Sequence, residues 1–554
     1  MLPSTPAPRL SIRAASGKLR PLKFFSQTRS VWKHRAFAVA AGLILAAGFP
    51  KMGFAGLAWL APALILFVAT NGQSPFRLGW FAGFTHYLAT LRWLLNIPVD
   101  YMPIVGWLAL SAFLALLPAT WVWACAASER ATTTSMRRLL WAVQSAALWV
   151  ALEMLAARIF GGFPWNLLGA SQYQMLPLIQ IASITGIYGV SFLLVWFSVS
   201  LLLAVKQIIR QPTRRLLWLG EIALPLTVIL LVAIIGLKKI SNAAPAAREI
   251  KIALVQPSIP QTMIWNPADS TARFEQLLKL SKAALTTKPD LLLWPEAAVP
   301  KLLRFDQPTY DAVTNLARTH RIWMIIGADD AESHPQPGEP DGADYFNSSF
   351  LVSPRGELAA TYRKRHLVMF GEYVPLIRWF PFIKHLTPIT GGFTPGEAVV
   401  PFAIPELKLK TSVLICIEDS FPHLVRDYVD DDTDFLVNLT NDGWFGEGAA
   451  QWQHAAAAVF RTVENGLPLV RCANNGLTCW IDAHGGMHEI YFGDTRDIHG
   501  AGFKTASLPL PAPGPRPATF YRRHGDWFGW GCVVFSVVMV LPAVLRIRGL
   551  PARA

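Results

Sequence analysis

The chain has 554 residues, of which 53% are hydrophobic and 16% charged, and its formal net charge is +14. A mean hydropathy of +0.35 excludes an ordinary soluble protein, and the length predicts more than one domain. The composition therefore predicts a membrane protein, with room for a separate polar domain.

The first 35 residues form a basic arm, with eight Lys or Arg and no Asp or Glu. Such arms occur in nucleic-acid-binding proteins, but next to an apolar run they are typical of the cytoplasmic flank of a membrane span. No convincing small-residue cleavage site follows the first apolar run. We therefore expect an uncleaved anchor rather than a secretory signal, and no nucleic-acid partner.

Eight apolar runs have about the length that a helix needs to cross a bilayer core of roughly 30 Å. The first two, at 36–49 and 55–69, are short, and a re-entrant pair is the alternative for them. The others lie at 78–96, 104–126, 139–159, 176–205, 216–237 and 527–545. We expect a membrane domain at 36–240 with about seven transmembrane helices, and a last transmembrane helix at 527–546.

Lys and Arg are concentrated in alternate loops, and this asymmetry sets the orientation of the helices. One such loop holds Arg130, Arg137 and Arg138, whereas the loops at 97–103 and 160–174 are nearly free of basic residues. The arm at 1–35 and the tail at 547–554 are therefore predicted to be cytoplasmic. Residues from about 240 to 520 are predicted to lie on the other side of the membrane.

The stretch at 249–510 has a different texture, with short apolar runs bounded by Pro, Gly, Asn or Asp. Runs of this kind predict strands, here at 250–256, 290–296, 322–328, 346–353, 412–418, 434–440, 468–475 and 477–482. Helix-like stretches at 270–287 and 449–466 lie between them. Strands that alternate with helices predict a layered α/β domain.

Five cysteines are present, and none of their spacings resembles a zinc site. We therefore expect no metal. A disulfide between Cys472 and Cys479 stays open, although neighbouring positions on one strand rarely have suitable geometry.

Several predicted strands end in a reactive or polar residue, which is where layered α/β folds place their chemistry. Glu296 closes one predicted strand, Cys416 and Glu418 close another, and Lys364 lies in a mixed run between two strands. Nucleophilic catalysis by cysteine needs a thiol, a base and a cation, and Cys416, Glu296 and Lys364 supply one each. Taken singly, each has a more common structural role: a buried Cys, a helix-capping Glu and a surface Lys.

Longer motifs around these residues resemble the apolipoprotein N-acyltransferases. These are polytopic membrane enzymes with a nitrilase-like, carbon–nitrogen hydrolase domain between their last two spans. The resemblance covers roughly residues 36–546 and rests on WPE at 294–296, YRKRHLVMFGEYVP at 362–375, CIED at 416–419, NLTNDGWFG at 438–446, and the runs at 451–478, 163–174 and 183–194.

The resemblance implies a multi-pass α-helical membrane domain and an extracytoplasmic nitrilase-like domain with an αββα sandwich. It implies a catalytic set of Glu296, Lys364 and Cys416, and no cofactor. It also implies substrate-binding or supporting roles for five further residues: Trp265, Glu372, Glu418, Trp444 and Phe445.

Two positions depart from the family pattern. Met369 stands where the family usually has proline, and we expect it to loosen the turn that positions Lys364 and Glu372. Ile417 stands where the family usually has tyrosine after the cysteine, which removes a phenol from the site. Neither change touches the three catalytic residues.

The implied reaction moves an acyl chain from a membrane phospholipid to Cys416 as a thioester. The chain then passes to the α-amine of the N-terminal diacylglyceryl-cysteine of an apolipoprotein. The implied location is the bacterial inner membrane, in contact with membrane lipids, with the catalytic domain on the periplasmic side and the protein a monomer. A membrane-anchored nitrilase-type amidase and a decayed lipid- or lipoprotein-binding homologue are the alternatives. A transporter is a weaker third, because the spans contain few ionisable residues.

Overall fold

A computed structural model describes residues 23–72, 74–129, 134–264, 266–334, 342–375 and 392–547. The described residues up to Ser241 contribute helices, and a two-sheet α/β unit follows before the last helix. Trp265 lies outside the described residues, as do residues 1–22 of the basic arm and 548–554 of the tail.

The helical part contains α1 to α10 among the described residues. Their bounds are α1 Lys23–Ala47, α2 Ala61–Thr70, α3 Pro75–Thr90, α4 Met102–Leu114, α5 Leu116–Glu129, α6 Ser135–Ala156, α7 Leu176–Ile179, α8 Ala182–Thr185, α9 Ile187–Arg210 and α10 Arg215–Ser241. By length and composition, four described stretches can cross a membrane: Met102–Glu129, Ser135–Ala156, Ile187–Arg210 and Arg215–Ser241. Shorter apolar helices lie at Ala61–Thr70, Leu176–Thr185 and Trp527–Val540. The number of crossings stays a prediction.

The predicted span at 176–205 differs from the structure. It divides into α7, α8 and the long helix α9, which begins only at Ile187. The interruption lies at Gly186, whose φ of +67° and extended ψ cannot continue an α-helix. Tyr521 packs where a side chain at position 186 would stand, only 2.7 Å from the Cβ it lacks.

The α/β unit contains twelve strands among the described residues. They are β1 Arg248–Gln256, β2 Leu291–Leu293, β3 Trp323–Ser333, β4 Ala343–Val352, β5 Leu358–Arg363, β6 Phe402–Ile404, β7 Leu409–Ile415, β8 Phe435–Thr440, β9 Leu469–Ala473, β10 Cys479–Ile481, β11 Met487–His488 and β12 Gly502–Leu510. The helices that follow α10 are α11 Gln261–Ile264, α12 Ser270–Leu285, α13 Gln307–His320, α14 Pro422–Arg426, α15 Ala450–Asn465, α16 Phe520–His524 and α17 Trp527–Ile547.

The strands form two six-stranded sheets in the described part of the chain, in the orders β12-β1-β2-β3-β4-β5 and β11-β10-β9-β8-β7-β6. Parallel strands lie at the centre of each sheet: β1, β2 and β3 in one, and β7, β8 and β9 in the other. Strand β12, which the sequence patterns miss, closes the first sheet by pairing antiparallel with β1 over its whole length.

Alternate residues of the strands face opposite layers, as the two-residue period of a strand requires. On β1, Ile252 and Leu254 belong to the core shared with the second sheet, whereas Ala253 and Val255 pack with α12 and α13. Helix α15 covers the second sheet with Val459 and its neighbours. The predicted αββα sandwich is therefore confirmed, and the carboxyl ends of β2, β7 and β8 become available for a site.

One buried side chain connects α15 to the helical part. The Oε1 of Gln453 accepts hydrogen bonds from the indoles of Trp93 (3.1 Å) and Trp165 (2.8 Å). Its Nε2 donates to the carbonyls of Pro50 (2.8 Å) and Thr90 (3.1 Å). Gln453 thus joins three separate segments of the helical part to the α/β unit.

Candidate active site

Cys416 lies on a tight turn directly after β7. The residue has a φ of +53°, an unfavourable conformation for a side chain with a Cβ, and it begins a short 3-10 turn that ends at Ser420. Its carbonyl accepts a hydrogen bond from Nδ2 of Asn438 on β8 (2.9 Å). Backbone strain of this kind persists where neighbouring contacts hold it, and it is concentrated at functional sites.

Glu296 follows β2 and is buried, with a donor on each carboxylate oxygen. Asn347 on β4 donates from Nδ2 to Oε1 (2.8 Å), and the backbone N–H of Asn441 donates to Oε2 (2.9 Å). The loop reaches this position because β3 carries Gly327, where a Cβ would stand 2.2 Å from the Pro295 carbonyl oxygen. The carboxylate is therefore held in one orientation.

Lys364 follows β5 and is almost completely buried. Its Nζ lies 2.9 Å from Oε1 of Glu372 and 3.4 Å from Oε1 of Glu296. Burial lowers the pKa of Lys364, but the charges of Glu372 and then Glu296 outweigh burial and raise that pKa above its ordinary value. Lys364 is therefore an ammonium, and with Glu296 and Glu372 it forms what we call the carboxylate–lysine cluster.

Glu372 also closes the turn on which it lies. Its Oε2 accepts from the backbone N–H of Val368 (2.8 Å), and its own N–H donates to the Val368 carbonyl (2.7 Å). Met369 lies inside this closed turn and forms a bridge with Tyr373. The hydrogen bonds between Glu372 and Val368 hold this turn. Whether Met369 loosens it stays a prediction.

Glu418 lies at the core of the 416–420 turn. Its carboxylate accepts from the backbone N–H groups of Ile415 (2.7 Å), Arg365 (2.9 Å) and His366 (3.1 Å), and from the hydroxyl of Tyr362 (2.8 Å). Burial raises the pKa of Glu418, although these donors favour its charged form. Glu418 thereby ties the cysteine turn to the segment that carries Lys364.

The electrostatics around Cys416 keep its sulfur protonated at rest. Burial raises the pKa of the thiol well above its ordinary value, and Glu296 raises it further, whereas Lys364 opposes them. A thiolate at this position therefore forms only when a base takes the proton. Glu296 is the carboxylate with the largest effect on the thiol.

A second group of buried charges lies behind the cysteine turn. His454 on α15 bridges Asp419 (Nε2 to Oδ1, 2.7 Å) and Asp442 (Nδ1 to Oδ1, 2.9 Å). Arg471 on β9 reaches the same two aspartates at 2.6 and 3.1 Å. Burial lowers the pKa of His454, but Asp419 and then Asp442 outweigh burial and raise it to about 9. We call these four residues the histidine–arginine cluster.

Trp444 and Phe445 lie on a 3-10 turn at Asp442–Phe445, just after Asn441. The ring of Phe445 packs against Trp93 of the helical part (centroids 4.5 Å apart), and its carbonyl accepts from Nδ2 of Asn96 (2.9 Å). The turn is therefore fixed at one end to Glu296, through Asn441, and at the other to the helical part.

Two residues of the site are missed by the sequence patterns. Asn347 donates to both Glu296 and Glu372 (2.8 Å each), and a polar residue in the run at 346–353 is its only sequence signal. Burial raises the pKa of Asp329 on β3 to about 7, and the charges of Glu296 and Glu372 add to the effect. Asp329 follows an apolar run, so it looks like an ordinary strand end.

Metal and disulfide chemistry receive no support from the described residues. No group of three or more His, Cys, Asp or Glu within them is arranged to hold a metal ion. All five cysteines are free, so the bridge between Cys472 and Cys479 that the sequence left open is not formed.

Comparisons with known proteins give the following matches. Residues 251–493 match the carbon–nitrogen hydrolase family, and residues 41–200 match the N-terminal domain of apolipoprotein N-acyltransferase. An apolipoprotein N-acyltransferase of Geobacter metallireducens is 35% identical over 525 residues, covering 92% of this chain and 95% of that protein. Its counterpart in Rickettsia prowazekii is 32% identical over 415 residues, covering 75% and 80%. A solved amidase from Nesterenkonia sp. AN1 is 17% identical with a TM-score of 0.35, covering 50% of this chain and 96% of that one.

Proposed function

This chain belongs to the apolipoprotein N-acyltransferase family, as its motifs predict, and we propose that it acts through a thioester on Cys416. The enzyme is an acyltransferase of lipoprotein maturation. The proposal adds the acyl donor, a membrane phospholipid, and the residues that carry the reaction. The observation that carries it is the carboxylate–lysine cluster, in which Lys364 Nζ lies 3.4 Å from Glu296 Oε1 and these two residues shift the pKa of the Cys416 thiol in opposite directions.

In the first half-reaction, Glu296 removes the proton from Cys416 while the sulfur attacks an ester carbonyl of the phospholipid. The ammonium of Lys364 and the backbone N–H of Ile417 stabilise the oxyanion of the tetrahedral intermediate. The intermediate collapses as the glycerol oxygen leaves, and Glu296 returns the proton to that oxygen. The products are a lysophospholipid and the Cys416 thioester.

In the second half-reaction, the α-amine of the diacylglyceryl-cysteine attacks the thioester carbonyl. Glu296 takes a proton from the amine, and the sulfur leaves as the amide bond forms. The thiolate recovers a proton from Glu296, which restores the resting enzyme. A buried site keeps water away from the thioester, so the thioester survives until the amine attacks it.

The hydrogen bonds at Glu296 suit a base that works twice per cycle. Asn347 and the Asn441 N–H fix the carboxylate, so its orientation does not change when the proton moves. Lys364 stays charged throughout, because Glu372 alone keeps its ammonium paired when Glu296 is protonated.

The experiment that tests the proposal is intact-mass measurement of the full-length protein after incubation with a phospholipid. We expect a gain of one acyl chain on Cys416, and loss of that gain when a diacylglyceryl-cysteine peptide is added. Cys416→Ser should abolish the gain, and Cys479→Ser should leave it intact, since Cys479 lies buried on β10. An acylated Cys416→Ser protein would overturn the proposal, and a thioester that water cleaves without transfer to the peptide would favour the amidase.

We also propose that the catalytic domain is periplasmic, that the membrane is the bacterial inner membrane and that the protein acts as a monomer. The alternation of basic loops supports this orientation. Ser333 lies at the exposed end of β3. A cysteine introduced at Ser333 should react with an impermeant maleimide in intact spheroplasts. Reaction only after the membrane is broken would reverse the orientation.

A further inference from the structure

A groove of about 430 Å³ runs between α6 and α17, away from Cys416. Its described lining is apolar apart from one hydroxyl and one guanidinium, at Ser536 and Arg158. We call it the α6–α17 groove, and its lining residues are Leu148, Ala151, Leu152, Met154, Leu155, Arg158, Trp530, Val533, Ser536, Val537 and Val540. Ligand sites of this volume are mostly apolar, with a few polar groups that fix the orientation of the ligand.

The length of the groove matches one leaflet of a bilayer. On α17 the lining runs from Trp530 to Val540, and ten residues of helix rise about 15 Å. On the other wall it runs from Leu148 on α6 to Arg158, which lies two residues beyond the end of that helix. Half of a hydrocarbon core of roughly 30 Å is about 15 Å. The groove is therefore about as long as one acyl chain.

Aromatic side chains mark the polar end of the groove as a membrane interface. Trp527 and Trp530 are 43% and 52% exposed, and Phe520 just before them is 45% exposed. Trp side chains are enriched at the boundary between headgroups and acyl chains. The predicted orientation puts this boundary on the same side as the catalytic domain.

Arg158 lies at this end and is anchored without being fully covered. Its guanidinium is paired with Asp526, donates to the Met154 carbonyl (3.1 Å) and lies over the Trp530 ring at 5.4 Å. About a quarter of its side chain (26%) stays exposed. An arginine has five N–H donors in a fixed fork, which suits phosphate, so Arg158 has more donors than Asp526 and Met154 occupy.

We propose that the α6–α17 groove binds a phospholipid of the leaflet next to the catalytic domain, with one acyl chain along the groove and the phosphate at Arg158. The site is separate from the one at Cys416. It deepens the proposed function and rests on it in one respect, the orientation of the membrane domain. It holds a lipid of the donor class beside the catalytic loop.

The loop that follows Arg158 connects this site to the catalytic residues. Gly161 lies beside Tyr373 and Met369, where a Cβ would be 3.6 and 3.9 Å from their side chains. Those two residues flank Glu372 in the turn described above. A headgroup at Arg158 therefore lies one short loop away from the carboxylate–lysine cluster.

The test uses the full chain with Cys416→Ala, so that no acyl transfer consumes the probe. The protein is placed in phosphatidylglycerol nanodiscs with a phosphatidylethanolamine that carries a diazirine at the end of one acyl chain. After irradiation, we expect peptides containing residues 148–155 and 533–540 to carry about tenfold more label than α10, whose Leu230, Leu231 and Ile234 face outward. Equal labelling of the two regions would overturn the proposal.

Two variants on one helix provide the matched comparison. Val537→Trp fills the groove, and we expect it to lower the label on residues 148–155 about tenfold, since several methylene contacts are lost. Val538→Trp adds the same bulk at the next position, which is 62% exposed and does not line the groove, and should leave the label unchanged. Equal effects of the two variants would refute a specific groove.

A change in the lipid headgroup tests the role of phosphate. A diacylglycerol with the same diazirine chain should label the groove about tenfold less than the phospholipid, and Arg158→Gln should remove this difference. Diacylglycerol labelling as strong as that of the phospholipid would overturn the phosphate assignment. Thioester formation by the native protein is measured separately, so failure of the groove and failure of the catalytic proposal are distinguishable.

Discussion

The two buried clusters of charge in the catalytic domain differ in balance. The histidine–arginine cluster pairs two aspartates with two cations, and each cation contacts both aspartates. The carboxylate–lysine cluster has two carboxylates for one ammonium. A buried charge is costly unless it is paired, so the balanced cluster is suited to hold structure and the unbalanced one to accept a proton.

The turn at 416–420 joins the two clusters, because Cys416, whose thiol pKa the first cluster shifts, begins the turn and Asp419 belongs to the second. Glu418 lies between them and is satisfied mainly by backbone N–H groups and tyrosine hydroxyls. Four residues of chain, from Cys416 to Asp419, therefore connect the two clusters.

The largest effect is expected at Lys364, the cation of the unbalanced cluster. Lys364→Met leaves two buried carboxylates without a counter-charge and removes an oxyanion donor, and breaking such a pair costs about 3–5 kcal/mol. The rate of thioester formation, followed by intact mass, should fall at least about 10³-fold.

The matched control for Lys364 is Lys410→Met. Lys410 pairs with Asp430 and Asp432 at the protein surface (2.7 Å each), where an ion pair contributes little. Thioester formation by Lys410→Met should stay within about twofold of the native rate. Such a change corresponds to a free-energy difference well below the roughly 1.4 kcal/mol of a tenfold change in rate. A folded Lys364→Met protein that keeps a tenth of the native rate would contradict the role given to the ammonium.

The balanced cluster should show its role in the pH dependence of stability. The pKa of His454 is about 9 in the folded protein against an ordinary 6.5, so folding favours its protonated form. This stabilisation is complete below about pH 6.5 and is lost as the pH rises through about 9, with a total of about 3 kcal/mol. Thermal unfolding of the detergent-solubilised protein should therefore shift to lower temperature between these pH values.

His454→Asn is the control for this dependence. It should lower the unfolding temperature at pH 6 and flatten the shift between pH 6.5 and 9, because no titrating group bridges Asp419 and Asp442. Arg471 keeps its charge over this range, so its ion pairs do not add to the shift. An unchanged pH profile in the variant would show that another group carries the dependence.

The sequence singles out the candidate catalytic residues better than the residues that contact them. Glu296, Lys364 and Cys416 lie in motifs of several residues each, and the structure brings the first two within hydrogen-bonding distance. Asn347 and Gln453 were not predicted, because their partners are far away in the chain. Gln453 bonds to Trp93, 360 residues earlier. The positive φ of Cys416 was also hidden, since cysteine has no preference for that conformation.

Asn347 lowers the repulsion within the unbalanced cluster, and its loss should have a smaller effect than that of Lys364. Asn347→Ala removes one donor from each of two carboxylates, and a hydrogen bond to a charged group contributes about 1.5–3 kcal/mol. We expect thioester formation to slow about 10- to 100-fold. Asn315→Ala, on the exposed face of α13, is the control, and a rate for Asn347→Ala equal to that of this control would exclude the proposed support.

The smallest effect is expected at Ile417, which lies between the two clusters and departs from the family pattern. The residue is half-buried and packs against the main core, and its backbone N–H is the same for any side chain at this position. A tyrosine would add one hydrogen bond, and a typical one contributes about 0.5–1.5 kcal/mol. Ile417→Tyr should therefore change the acylation rate by no more than about tenfold, with the thioester formed in both proteins. Ile417→Phe separates the hydroxyl from the ring, because it adds similar bulk without a donor. The opposite result would be a native protein that forms no thioester, with the thioester restored by Ile417→Tyr and not by Ile417→Phe. The site would then be a decayed one, in which the carboxylate–lysine cluster keeps its charges but no longer positions the ester.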